Sequence, residues 1–305
     1  MNFTPHGILP AMITPVTQEG KVDEKALRNL IEYEIKGGLH GIFAIGTTGE
    51  FYALTPEVYR EVLEITVDQV GGRVPVYAGA NAISTAESVR LAEIAQEAGV
   101  DALSVLTPYF ISISQQELIE HYTSIAASTD LSILLYDNSP KTQISIKPET
   151  SSKLADIKNI VGMKDSAGDL TMTAEHIRRS QGKDFHVFIG RDTLIYSNLC
   201  LGGAGAVAAC ANVAPKLCSD IYNKFMAGDL KGSLEAQFKL APLRLAFTLG
   251  SFPAVIKEAL NMIGVEVGNC IRPTGGLNDD EKADVYKRQG LRGGGDKHQE
   301  NSKYV

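Results

Sequence analysis

Short unbroken apolar runs alternate along this chain with longer stretches in which apolar residues return every three to four positions. The runs read as buried strands of a parallel sheet, the stretches as amphipathic helices. Residues 7–15 open the series, and Asp23 can cap a helix carrying Leu27, Leu30, Ile31 and Ile35 as far as Gly37 and Gly38. Residues 41–45 form a second run, after which Thr55 and Pro56 start a helix with threonine as cap and proline in the first turn. Residues 74–79 and 102–106 give a third and a fourth run. The pairs Ser84/Glu87 and Ser114/Glu117, which open the helices after them, have the spacing of a capping box. Residues 131–136 are the fifth run, followed by a weaker helical stretch at 147–156. The sixth run, Ile160-Val161-Gly162-Met163, ends in Lys164, and a helix over 170–179 follows. Residues 185–189 and 205–209 supply two more runs, with helices at 192–201 and from Pro215 to near Gly228.

Eight such units in unbroken order predict a closed (β/α)8 barrel. An open doubly wound sheet satisfies the same alternation, but no G-x-G-x-x-G opens the first unit. Beyond Asp229 the alternation stops. Residues 234–249 and 253–263 read as helices, and 278–284 start another that loses its pattern at Tyr286. The expected organisation is a barrel over 1–229, a helical extension of the same domain over 230–285 and a disordered tail over 286–305. That tail is glycine-rich and polar, with no apolar periodicity.

Composition narrows the function classes. The 305 residues are 44% hydrophobic and 21% charged, as in a soluble globular protein with ample core. A net charge of −7 implies no basic surface for nucleic acid. No apolar run approaches the ~20 residues of a membrane span, and residues 1–5 show no signal-peptide pattern, so a cytoplasmic protein is expected. Cys200, Cys210, Cys218 and Cys270 have neither C-x-x-C nor metal-ligand spacing and read as buried thiols. The six histidines are scattered without ligand spacing, so neither a metal nor another cofactor is expected.

In a barrel the chemistry sits at the C-terminal ends of the strands. Lys164 closes the sixth run. A lysine buried there loses solvation for its charge, which favours the neutral amine, and a neutral amine attacks carbonyls to form a Schiff base. The bland alternative is a strand-end lysine reaching out to water. After the second run, Gly46-Thr47-Thr48-Gly49 offers two hydroxyls and backbone amides that can cradle a carboxylate. It also reads as an ordinary polar turn. Tyr136 ends the fifth run and can relay a proton if bonded to a threonine hydroxyl, although most strand tyrosines are simply core. A cradle, a relay and an amine on one face of one barrel suit covalent catalysis on a 2-oxo acid.

The run from Gly41 to Glu50, Tyr136, and the lysine of Val161-Gly162-Met163-Lys164-Asp165 together resemble the dihydrodipicolinate synthase/N-acetylneuraminate lyase family. So do Thr107-Pro108-Tyr109, Gly205-Ala206-Val207 and Ala211-Asn212-Val213-Ala214. The resemblance covers about residues 5–285. It implies a class I, pyruvate-dependent aldolase or lyase on a TIM barrel with a helical extension. It also implies Lys164 as the Schiff-base residue, Tyr136 and Thr47 as the relay, and Thr47 and Thr48, beside Gly46, as holders of the pyruvate carboxylate. Gly190 and Val207 would line the pocket. Pyruvate and an aldehyde or 2-oxo acid are the implied substrates. A homotetramer built as a dimer of dimers is the implied assembly, which the apolar extension also suggests.

Three positions depart from the synthase pattern. Phe110 stands where a second tyrosine from a neighbouring subunit completes the relay, with Tyr109 beside it. Lys141 stands where an arginine grips the second substrate's carboxylate. Gly190-Arg191-Asp192 puts polar groups, Asp192 among them, where relatives contact sugar-like hydroxyls. Neuraminate lyases usually carry serine at the first threonine of the glycine motif, so the synthase branch is nearer. The leading expectation is a 4-hydroxy-tetrahydrodipicolinate synthase-like enzyme. Aldolases of 2-oxo-3-deoxy sugar acids or of 4-hydroxy-2-oxoglutarate are the alternatives within the family. A non-catalytic 2-oxo acid binding protein is the alternative of another class, and a metal-dependent barrel lyase is disfavoured by the scattered histidines.

Overall fold

The computed structural model describes residues 4–17 and 19–288. The strands are β1 (Gly7–Pro10), β2 (Ile42–Ala44), β3 (Val76–Gly79), β4 (Ala102–Leu106), β5 (Ser132–Asp137), β6 (Ile160–Asp165), β7 (His186–Ile189) and β8 (Gly205–Ala208). They pair in parallel in the order β1-β8-β7-β6-β5-β4-β3-β2. A parallel bridge from Ala11 to Phe43 joins the two outer strands, with Met12 N–H donating to Phe43 O at 3.0 Å. The sheet therefore curls into a (β/α)8 barrel rather than an open, doubly wound layer.

The helices are α1 (Glu24–Lys36), α2 (Pro56–Val70), α3 (Thr85–Ala98), α4 (Gln115–Ala127), α5 (Ser139–Thr142), α6 (Pro148–Leu154), α7 (Leu170–Arg179), α8 (Ile195–Cys200) and α9 (Pro215–Met226). Beyond the barrel come α10 (Leu230–Ala246), α11 (Ala254–Met262) and α12 (Asp279–Arg288). The caps are those the spacing predicts. Asp23, Thr55, Ser84 and Ser114 each accept a backbone N–H from the first turn, and Ser114 with Glu117 closes a full capping box.

Some boundaries differ. α10 begins at Leu230, four residues earlier than the apolar pattern suggests, because the Asp229 carboxylate accepts from Gly232 N–H and caps it there. The short α5, just after Tyr136, carries no apolar periodicity and was not expected. α12 continues to Arg288, past the pattern break at Tyr286, anchored by the fully buried Val285. Residues 289–305 of the expected tail lie outside the described residues.

Alternation along each strand divides the core in two. Leu9, Phe43, Tyr77, Leu134, Phe188 and Val207 fill the barrel interior, while Ile8, Ile42, Ile133, Leu135 and Met163 face the helices. Between β5 and β6 the register slips by one residue near Ile133 and Leu134. Past the slip, Tyr136 pairs with Lys164.

Candidate active site

Tyr136 and Lys164 are register partners on adjacent strands, so their side chains project from the same level of the sheet. The Lys164 amine lies 4.1 Å from the centre of the Tyr136 ring and 4.8 Å from that of Phe43, and only 4% of the residue is exposed. Burial lowers the Lys164 pKa from its ordinary value, and the facing Tyr136 hydroxyl and the more distant Asp192 offset this in part. For Tyr136, burial works upward, but Lys164, Thr47 and Ser166 together outweigh it, and the phenol is shifted down. The pair is thus a softened base beside a sharpened acid.

The phenol is held from two sides. Thr47 Oγ1 lies 3.1 Å from Tyr136 Oη, and Asn138 Nδ2 donates to the same oxygen at 3.1 Å. Thr47 reaches it from a tightly wound turn. Ile45 and Glu50, which flank Gly46-Thr47-Thr48-Gly49, both adopt left-handed backbone, at φ 57° and 58°. Such conformations cost ~1–3 kcal/mol each outside glycine and persist only where neighbours over-determine them. Here Asn81 Nδ2 donates to Ile45 O at 3.2 Å, and Thr14 Oγ1 donates to Gly49 O at 2.7 Å. Gly79 permits the approach, since a Cβ there would stand 2.1 Å from Ile45 O. Glu50 is fully buried and ion-paired to Lys257 of α11.

These groups open onto a cavity of about 360 Å³. Thr47, Thr48, Tyr136, Lys141, Lys164, Gly190 and Val207 all line it. The remaining expected site residues sit elsewhere. Gly46 packs against the Phe43 ring and is not in the lining. Tyr109 lies against Phe51, with ring centres 6.0 Å apart, and lines an adjoining cavity that shares Thr47, Asn138, Lys141 and Phe252 with the first. Phe110 points away from both: it is 92% exposed, on a backbone at φ 75°. Asp192 is absent from the lining. It is buried, accepts from Cys210 N–H at 2.7 Å and stands 3.2 Å from Arg244 Nε.

Several lining residues escaped the sequence reading. Asn138 and Ser166 were within reach of it, since each lies two positions after Tyr136 or Lys164 and strand alternation returns such residues to the same face. Arg244, Phe247, Thr248 and Phe252 come from α10 and the segment after it, and carry no local signal. The extension therefore forms one wall of the site. Among the described residues, no group of three or more His, Cys, Asp or Glu side chains is arranged to hold a metal ion. Nor is any helix among them long and apolar enough to cross a membrane.

Known proteins match the chain over most of its length. Residues 4–288 match the model of the dihydrodipicolinate synthetase family. A 4-hydroxy-tetrahydrodipicolinate synthase from Chelativorans sp. (strain BNC1) is 40% identical over 259 residues, covering 85% of this chain and 88% of the relative. The crystal structure of dihydrodipicolinate synthase DapA-2 from Bacillus anthracis superposes with a TM-score of 0.90 at 31% identity, over 94% of this chain and 98% of that one. YagE, a prophage protein of the dihydrodipicolinic acid synthase family from E. coli K12 solved in complex with pyruvate, gives a TM-score of 0.90 at 30% identity, over 92% and 96%.

Proposed function

The chain belongs to the dihydrodipicolinate synthetase family and is a lyase of the class I aldolase type, and we propose that it joins pyruvate to a short aldehyde through an imine on Lys164. The 4-hydroxy-tetrahydrodipicolinate synthase reaction is the best-supported version, since the named relatives carry that activity across most of their length. The observation that carries the reading is the buried Lys164 amine set 4.1 Å from the Tyr136 ring, with Thr47 bonded to the phenol.

In the proposed cycle the pyruvate carboxylate rests in the Thr47–Thr48 turn and the neutral Lys164 amine attacks the ketone carbon. Tyr136 delivers a proton to the carbinolamine oxygen, which leaves as water, and the imine forms. The Tyr136 phenolate takes up a methyl proton of the iminium to give the enamine, whose terminal carbon attacks the aldehyde carbonyl. Tyr136, re-protonated by that step and held by Thr47, then protonates the new alkoxide. Water then hydrolyses the imine and restores Lys164. No metal or organic cofactor enters these steps.

The proposed assembly is a homotetramer. Phe110 stands 92% exposed beside the exposed Ile111, and the nearby cavity under Tyr109 is edged by the exposed Tyr52 and Ile83. That set supports a covering neighbour, because single exposed apolar residues are ordinary whereas clusters mark interfaces. Borohydride reduction in the presence of pyruvate tests the chemistry. The expected result is a reduced adduct at Lys164 by peptide mass spectrometry, lost in Lys164→Ala. Active protein with no adduct, or an adduct at another lysine, would sink the imine.

A further inference from the structure

Among the described residues, four cationic side chains line the cavity, Lys141, Lys164, Arg191 and Arg244, and no carboxylate does. This is a local reversal in a chain of net charge −7. Lys164 is engaged by the imine and Arg244 is ion-paired to Asp192, so one carboxylate in the Thr47–Thr48 turn does not account for both Lys141 and Arg191. Arg191 Nε is buried with no hydrogen-bond partner among the described residues. Its Nη2 lies at the limit of bonding, 3.5 Å from Ala167 O.

Arg244 is the best organised of the three. Its Nε stands 3.2 Å from Asp192 Oδ2, and Asp192 is in turn fixed by Cys210 N–H and by Gln237 Nε2, which donates to Asp192 O at 2.8 Å. A guanidinium held through Nε still presents its two terminal amino groups as a fork for a carboxylate. The guanidinium carbon lies 5.4 Å from the Phe247 ring centre, Phe247 meets Phe252 edge-on at 6.2 Å, and Lys141 Nζ lies 6.0 Å from the Phe252 ring. The two cations thus bracket an apolar bridge of two phenylalanines. Such a surface suits a short carbon chain ending in an anion. A neutral, polyhydroxylated aldehyde would bring the cations no counter-charge.

We propose that Arg244, carried into the site by α10 and oriented by Asp192, is the specificity-determining residue that selects an aldehyde bearing a carboxylate. Phe247 and Phe252 cover the chain between carbonyl and carboxylate. This inference rests on the imine chemistry proposed for Lys164.

The test compares kcat/KM for succinic semialdehyde and for its methyl ester, with pyruvate adduct yield measured separately. The unmodified protein is expected to prefer the acid. Arg244→Lys keeps the charge beside Asp192 but removes the fork. It should lower kcat/KM for the acid by about ten- to a hundredfold, the scale of one charge-assisted hydrogen bond. Turnover of the ester and the adduct yield, which do not draw on the fork, should fall far less than turnover of the acid. If that variant does not fold, the double variant Asp192→Asn/Arg244→Met removes both charges together and should likewise abolish the preference for the acid over the ester. Equal rates for acid and ester in the unmodified protein, or an equal loss for both in the variants, would overturn the proposal. Absence of any pyruvate adduct in the unmodified protein would instead overturn the imine reading beneath it.

Discussion

Lys257 of α11 reaches under the β2 turn and places its amine 2.6 Å from the carboxylate of Glu50, with both residues almost fully buried. The same amine donates to Thr14 O at 2.8 Å and Asn269 O at 2.9 Å, and the second Glu50 oxygen accepts from Ile271 N–H at 2.7 Å. The turn that carries Thr47 and Thr48 is therefore locked to the C-terminal extension by one ion pair. Site and extension are a single mechanical unit.

Removing one partner leaves a buried charge without compensation, at a cost of about 3–5 kcal/mol. Lys257→Met is expected to lose stability on that scale in urea unfolding, and to raise the KM for pyruvate because the turn is freed. The double variant Glu50→Gln/Lys257→Met should recover much of the stability. A single variant as stable as the parent would show that the pair does not lock the turn.

Tyr136→Phe deletes one hydroxyl from the Thr47–Tyr136–Asn138 cluster and leaves the ring against Lys164. Turnover should fall by about 10²–10⁴-fold, the usual worth of general acid–base assistance, with little change in pyruvate KM. The variant should still form the borohydride-trapped adduct, more slowly. An unchanged kcat would mean that another group moves the proton.

The barrel, the strand-end lysine and the threonine turn were legible in the sequence because each depends on local pattern. Apolar runs specify strands, Asp23, Thr55, Ser84 and Ser114 specify helix starts, and a lysine ending an apolar run specifies a candidate amine whose burial the run alone leaves open. What the pattern could not supply is a contact set by distant packing. Arg244, Phe247 and Phe252 enter the cavity because α10 packs back over the β7 end through Gln237 and Asp192. No periodicity near position 244 signals this. The ion pair that engages Asp192 was hidden for the same reason, since its counter-ion lies 52 residues further on in α10. Phe110 carried a different ambiguity, because a residue's place in a motif does not say whether it faces its own subunit's site.

Acid should unfold the protein partly through His176. Its ring lies buried between α6 and α7, with Ser151 Oγ 2.7 Å from Nδ1. Burial lowers its pKa to about 4, although Asp137, Glu149 and Glu175 pull it back up. The folded state thus keeps the ring neutral where the unfolded chain, titrating near 6.5, has already taken up a proton. Stability is unaffected above that value, falls as pH drops from about 6.5 toward 4, and is lost by on the order of 3 kcal/mol below it. His176→Gln should flatten this acid limb in urea midpoints measured across the interval. His121, also lowered to about 4 by burial, would keep its own share. Parallel pH profiles for parent and variant would refute the assignment.

Phe110 offers a test of the proposed assembly. The ring is 92% exposed on a left-handed backbone, a conformation that costs free energy outside glycine. Burying one such side chain against a neighbour contributes about 1.5–3 kcal/mol, or roughly ten- to a hundredfold in association. Phe110→Gly removes the ring and relieves the backbone, so the folded subunit should gain stability while the oligomer weakens by that factor in sedimentation velocity. Phe110→Tyr should keep the association. If the ring enters a neighbour's site, it should also raise condensation with a carboxylated aldehyde, since the added hydroxyl would extend the Thr47–Tyr136 relay. That gain must vanish on dilution to monomer, because within one subunit residue 110 does not line the cavity that holds Lys164. A gain that survives dilution, or a parent protein that is monomeric at micromolar concentration, would rule out a role for residue 110 across a subunit boundary.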